Sequence, residues 1–218
     1  MASELLPPIE GLWMDERAHR YHFRGDWLPF SSTGIVSDLS PQAREQIMRT
    51  KDGPDGWAVR GTSVHGILEA HLLHVAGVGE PVAVDDRWVP WAESLTTHWL
   101  WRGCTVLAVE YMLCDPIRRV GGMFDFLVRT ADGLTVLGDL KTVRTAAALK
   151  SRKPAAAQLG CYASALGIWW PTITIDRCAT LVSAPGECEL KPQDPACCIA
   201  AWQEAWEKHQ AEEILRGF

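Results

Sequence analysis

The 218-residue sequence predicts an α/β domain with a central mixed β-sheet flanked by helices. Three observations carry that expectation. Runs rich in β-branched and apolar residues crowd the stretch 104–141. Segments with apolar residues at helical spacing lie on both sides of it. Apolar residues make up 47% of the chain and charged residues 22%, a balance that supplies one real core and excludes a disordered chain. The length fits a single domain over 1–218. Its expected parts are an N-terminal hairpin and helices (1–103), an αβ core (about 60–185) and a C-terminal helix (196–218).

Taken in order, Arg20 to Phe30 reads as two short strands around Gly25-Asp26. Ser40 is an expected N-cap and Pro41 an N1 residue for a helix near 41–50. KDGPDG, 51–56, has the composition of a loop. Val64, Leu68, His71 with Leu72, and Val75 predict a helix over 62–75. A helix is expected near 90–101. Strands follow at 104–113, 122–129 and 134–141, the last two joined by the turn signal Ala131-Asp132-Gly133. The alanine-rich 154–167 predicts a helix opened by Pro154, and 172–183 a further strand. Ile199, Trp202, Trp206 and Leu215 mark a closing amphipathic helix.

The formal charge of −6, from 21 basic and 27 acidic residues, argues against a protein that coats DNA through bulk charge, while leaving room for a local basic patch. No run of 18 apolar residues exists and the first residues lack a leader pattern, so no membrane span and a cytoplasmic location are expected. The seven cysteines are expected to be reduced. No C-x-x-C pair occurs; the late Cys188, Cys197 and Cys198 leave a metal site open. The eleven tryptophans serve as core or interface anchors.

The chemistry concentrates between Gly122 and Tyr162. Asp125 stands in one expected strand, and Asp139 with Lys141 at the end of the next. The hairpin brings Asp125 near Asp139, and residues i and i+2 of a strand share a face, so Asp139 and Lys141 project together. Converging carboxylates repel unless a cation lies between them, and oxygen ligation suits Mg²⁺ or Mn²⁺. A lysine beside them can orient an attacking water or offset developing charge, which fits metal-assisted phosphodiester hydrolysis. A surface ion pair is the competing reading. Three features favour the first: His65 with Glu69 one turn later, Gln158 and Tyr162 at i and i+4, and an acid-free basic stretch holding Arg144, Lys150, Arg152 and Lys153, suited to phosphates.

Together these residues resemble the RecB-like branch of the PD-(D/E)XK nuclease superfamily. Its G-T-x-x-H, G-x-x-D, D-x-K-T and Q-x-x-x-Y motifs match Gly61-Thr62-Ser63-Val64-His65, Gly122-Met123-Phe124-Asp125, Asp139-Leu140-Lys141-Thr142 and Gln158 with Tyr162, in the same order. Tyr21–Phe30 followed by Ser31-Ser32-Thr33-Gly34-Ile35 is similar to the hairpin and S-V-T segment of the mitochondrial genome maintenance and phage exonucleases. The likeness covers about 20–165. The proline of the superfamily name is replaced by Phe124.

The resemblance implies a restriction-endonuclease-like core and a metal-dependent deoxyribonuclease using one or two Mg²⁺ or Mn²⁺ ions. It implies that His65, Asp125, Asp139 and the backbone carbonyl of Leu140 bind metal. Lys141 would position the water, and Gln158 and Tyr162 would brace the site or touch DNA phosphate. Glu110 matches a family acidic position, and Glu69 a motif glutamate or a helix-surface group. The iron–sulfur cluster of some relatives needs an early cysteine that this chain lacks, so none is expected. An exonuclease on single-stranded DNA or DNA ends, of phage or mobile-element type, is the first expectation, working alone or with a separate helicase or recombination partner. A structure-specific or nicking endonuclease and a silent DNA-binding module are the alternatives. The tryptophans of 80–101 are either core or a stacking wall beside the DNA.

Overall fold

The structure, a computed structural model, describes residues 5–15, 18, 20–37, 41–53, 56–81 and 83–216. Ser40, the expected cap of the helix near 41–50, and Pro54 and Asp55 of the expected loop lie outside the described residues. A small antiparallel sheet comes first: β1 (Leu12–Asp15), β2 (Arg20–Phe23) and β3 (Asp26–Trp27), with the tight turn supplied by Arg24 and Gly25, both at positive φ. β4 (Phe30–Ser31) leads into the short helix α1 (Ser32–Val36), capped by the Ser31 hydroxyl, which accepts from the Gly34 N–H at 3.1 Å. α2 (Pro41–Arg49), α3 (Trp57–Val75) and α4 (Val89–Thr96) follow, then a 3-10 turn over Trp99–Trp101.

The main sheet uses β4, β5 (Thr105–Asp115), β6 (Val120–Arg129), β7 (Thr135–Thr142), β8 (Arg177–Ala184) and β9 (Glu187–Gln193). Between β7 and β8 run α5 (Ala146–Ser151) and α6 (Ala156–Trp169), and α7 (Pro195–Arg216) closes the chain. β5–β6, β6–β7 and β8–β9 are antiparallel, whereas β7–β8 and β4–β6 are parallel. The mixed α/β class therefore holds, with helices on both faces.

Several element boundaries differ from the sequence reading. The expected helix over 90–101 is two pieces, because His98 leaves helical geometry and caps the 3-10 turn, its Nδ1 accepting from the Leu100 N–H. The helix expected to open at Pro154 begins at Ala156, and the strand expected from Thr172 begins at Arg177. α5 and β9 were not foreseen: α5 has six residues, and β9 carries Pro192, which suits an edge strand. Lys191 explains how so short a helix is held. Its ammonium donates to the carbonyls of Leu149, Lys150 and Arg152 at 2.8, 3.2 and 2.9 Å, satisfying the end of α5.

Two cores sandwich the sheet. On one face Val64, Leu68 and Leu72 of α3 pack with Phe126, Val128, Val136 and Leu140. On the other, Leu159, Tyr162 and Leu166 of α6 pack with Phe124, Leu127 and Leu137. α7 lies behind α6, which is possible because Gly160 has no side chain: a Cβ there would sit 1.9 Å from the Cys198 carbonyl oxygen. Gly160→Ala is expected to destabilise by about 2–3 kcal/mol, the scale of forced overpacking, read as a lower urea midpoint with unchanged slope.

Among the described residues no helix is long and apolar enough to cross a membrane. All seven cysteines are free. Cys188 packs against the α3-side core and Cys198 lies in the α6-side core, across the sheet from it, while Cys197 is exposed.

Candidate metal centre

The second edge of β6 is shared. β4 pairs with its start, at Val120 and Gly121, and β7 with its end, from Phe126 to Arg129. Residues 122–125 have no strand partner on that edge. β7 leaves β6 after Gly138 and continues along β8 as far as Thr142. Asp125 and Asp139 are the next facing positions beyond the last pair, Phe126 with Gly138, so they stand at the fork. A divergence between neighbouring strands is where an open sheet offers a crevice to a ligand.

The gap is stitched by side chains. Asp125 Oδ2 accepts from the backbone N–H of Leu140, a donor that pairing with β6 would otherwise have used. Asp125 Oδ1 lies 3.1 Å from His65 Nδ1, and Glu110 Oε1 lies 3.5 Å from the same nitrogen. His65, Glu110 and Asp125 place one ligand atom each within 4.8 Å of one another. Asp139 is outside that trio but beside it, with Oδ2 2.7 Å from Lys141 Nζ.

Glu110 reaches the trio through a break in β5. The register Val109 with Phe126 and Tyr111 with Phe124 sets Glu110 directly across from Asp125. Val109 and Phe126 belong to the α3-side core, whereas Tyr111 and Phe124 belong to the α6-side core. Residues two apart in a regular strand share a face, so both strands turn over at this pair. Glu110 does it with φ of 42°, a left-handed conformation costing a non-glycine residue about 1–2 kcal/mol. Strain of that kind is tolerated where the side chain must be aimed.

A polar chain runs on from Lys141. Its ammonium donates to Gln158 Oε1 at 3.1 Å, and Gln158 Nε2 donates to Tyr162 Oη at 2.7 Å. Ser32, buried at the start of α1, donates to the same hydroxyl at 3.4 Å. Gly122 makes room for this: a Cβ there would sit 2.7 Å from the Tyr162 ring and 2.9 Å from the Ser32 hydroxyl. The pairings Asp139 with Lys141 and Gln158 with Tyr162 follow the spacings seen in the sequence. Ser32 carried no expectation beyond its segment, and its place here depends on β4 joining β6 from 90 residues away.

The electrostatics split the carboxylates. Burial opposes ionisation of Asp125, but the His65 charge and hydrogen bond, Lys141 and the Leu140 N–H hold its pKa below the usual range. Burial raises Asp139; Lys141 opposes the rise and the Asp125 charge adds to it, leaving the pKa raised. Glu110 is raised too, by burial and by the charges of Asp125 and the half-buried Glu69, against the pull of His65. Burial would lower His65, yet Asp125 and Glu110 push it up to about 10. Burial, with the Asp139 charge, keeps the Tyr162 phenol neutral far above its ordinary range.

The donor set suits a hard divalent ion: three carboxylates and one imidazole, with one of those carboxylate oxygens, Asp139 Oδ2, buried and lacking a well-directed hydrogen bond. Such an ion must displace the proton of His65, so its affinity is tied to pH. Mn²⁺ affinity is expected to rise with pH between 6 and 9, about tenfold per unit for each proton released, and to level off only toward pH 10. Calorimetric titration in buffers of differing ionisation enthalpy counts the protons. An affinity flat with pH means His65 is not a ligand.

The other expected residues are placed as follows. Arg144, Lys150, Arg152 and Lys153 are all exposed, on and around α5. Trp88 and Trp101 are buried, Trp91 is half-buried and its Nε1 donates to the Val143 carbonyl at 2.8 Å, and Trp99 is exposed. Trp99 lines a cavity of about 520 Å³ with His98, Leu134 and Arg177 at the β6–β7 turn. That is five residues along the strands from Asp125 and Asp139, roughly 16 Å, so Trp99 is no wall for the fork.

Fold and site define a mixed α/β domain with a carboxylate–imidazole cluster at a strand fork. No protein-family model and no curated protein matches the chain. Among solved structures with partial likeness is one described as "Crystal structure of SSO0001", 16% identical, with a TM-score of 0.26. The match covers 40% of this chain and 41% of that one, so the chain spans less than half of its length.

Proposed function

We propose that this chain is a divalent-metal-dependent deoxyribonuclease on a PD-(D/E)XK core, acting as an exonuclease on single strands or strand ends. The observation that carries the reading is the convergence of His65, Glu110 and Asp125 beside an Asp139–Lys141 pair at one sheet fork. A bare acidic cluster would not suggest this chemistry; a lysine held against it, with a free donor, does.

His65, Glu110, Asp125 and Asp139 would hold Mg²⁺ or Mn²⁺. The ion supplies Lewis acidity at a phosphoryl oxygen and a more acidic bound water. The rest falls to the chain. An ammonium has three N–H donors. Gln158 takes one of those on Lys141, at 3.1 Å, and the Asp139 carboxylate pairs with the ammonium at 2.7 Å, which leaves a donor for a nucleophilic water or a non-bridging phosphate oxygen. Gln158 is itself fixed by Tyr162, so the ammonium cannot swing away. Tyr162, buried, accepts from Gln158 and Ser32 and so braces the chain behind the ammonium.

The test is cleavage of end-labelled linear single-stranded DNA beside a closed circular single strand, with Mg²⁺ or Mn²⁺, with EDTA, and with Lys141→Ala. Degradation of the linear strand alone, dependent on metal and on Lys141, is the expected result. Cutting of the circle replaces the exonuclease with the endonuclease reading. No cleavage with either metal sinks the nuclease reading and leaves a binding module.

A further inference from the structure

We propose that Arg60 and Arg144 form a phosphoryl-binding pocket, walled by the indoles of Trp88 and Trp91, next to the metal centre. The four residues line a cavity of about 180 Å³. At roughly 30 Å³ per water, that is room for a phosphoryl group and accompanying waters. Arg60 is only 7% exposed, and its Nε is buried with no hydrogen-bond partner. Among the described residues no carboxylate forms an ion pair with either arginine. The Arg87 guanidinium, 3.9 Å from Asp85, lies over Trp88 and adds positive charge to the same wall.

A buried guanidinium without a counter-charge is costly, and a second one beside it makes matters worse. Burial and the Arg144 charge both lower the Arg60 pKa, in keeping with two like charges facing one space. An anion between them removes the cost, and the planar forks of two arginines match the oxygens of a phosphoryl group. Trp91 contributes its ring and not its N–H, which is committed to Val143.

Position ties the pocket to the fork. Arg60 precedes His65 by five residues on α3, about 7.5 Å along the axis. Arg144 follows Lys141 by three residues, at most about 10 Å of chain. A phosphoryl group held there is a nucleotide or two from one at the metal centre. The inference rests on the two guanidiniums; the nuclease reading bears only on what carries the phosphoryl group.

The experiment is binding in EDTA, where no cleavage occurs and the metal centre plays no part. The probes are inorganic phosphate, a deoxynucleoside with and without its 5′-monophosphate, and a short single strand with a 5′-phosphate or a 5′-hydroxyl. Tryptophan fluorescence and thermal shift are the readouts. Wild type is expected to bind the phosphorylated probes, and Arg144→Ala and Arg60→Gln to bind them at least about tenfold more weakly. Arg144 is exposed, so its variant reports even if loss of Arg60 disturbs α3. Arg129→Ala, at the far end of β6 and outside the pocket, should change inorganic phosphate binding little. Preference for the 5′-phosphorylated strand assigns the pocket to a strand end; equal binding of both strands assigns it to an internal phosphate. Binding of the monophosphate but neither strand assigns it to a free nucleotide. Failure of every phosphorylated probe to bind, or equal binding by wild type and both variants, overturns the proposal. If the nuclease reading alone fails, this binding persists.

Discussion

Asp125→Asn is expected to abolish nucleolytic activity, by about 10⁴-fold or more, the scale of removing one member of a catalytic set that acts as a unit. The carboxylate serves two partners, His65 through Oδ1 and the Leu140 N–H through Oδ2, and on the proposed reading would also hold the divalent ion. Asparagine keeps an oxygen for the Leu140 N–H and is the same size, so the strand fork should survive. It removes the charge that holds His65 protonated and that an ion needs. Two measurements separate the chemistry from the fold: the circular dichroism spectrum should be unchanged, while Mn²⁺ titration should show affinity lost by orders of magnitude. A variant that still binds Mn²⁺ as wild type does would remove Asp125 from the ligand set. In EDTA the same substitution should drop the His65 pKa from about 10, because Asp125 is the chief group raising it against burial.

Lys141→Met is expected to lower kcat by about 10²–10³-fold, comparable with loss of one preorganised charge-stabilising donor. Methionine nearly matches the lysine stem and keeps its packing, so stability should change little. Metal affinity should not fall, since Lys141 is no ligand, and loss of a neighbouring positive charge favours a cation in its place. The paired signature, low kcat with undiminished Mn²⁺ affinity, distinguishes a positioning lysine from a structural one. Gln158→Leu should cost less, about tenfold, because it frees the ammonium without removing it. The double variant should be no worse than Lys141→Met alone, since two residues in one hydrogen-bonded chain are not additive. A fully additive double variant would mean that Gln158 acts independently.

Much of the site was legible because its spacings are local. Asp139 and Lys141 are two apart in a strand and Gln158 and Tyr162 four apart in a helix, and backbone geometry alone puts each pair on one side. The turn at Ala131-Asp132-Gly133 brought Asp125 opposite Asp139 for the same reason. Glu110 was harder. Its carboxylate meets Asp125 only because β5 turns over at a left-handed residue, and nothing in a strand-like run announces a φ of 42°. α5 escaped notice because its hold on the domain comes from Lys191, 41 residues from Lys150.

By itself, then, the sequence determined the α/β class, the main elements and the side-by-side placement of residues within each motif, since these depend on periodicities of two and 3.6 residues. Only the tertiary structure decided the rest. It set β4 beside β6 so that Ser32 reaches Tyr162, opened the fork between β6 and β7, aimed Glu110 at Asp125 and faced Arg60 toward Arg144. Each joins segments far apart in the chain, and their register is fixed by packing of both sheet faces rather than by any local preference.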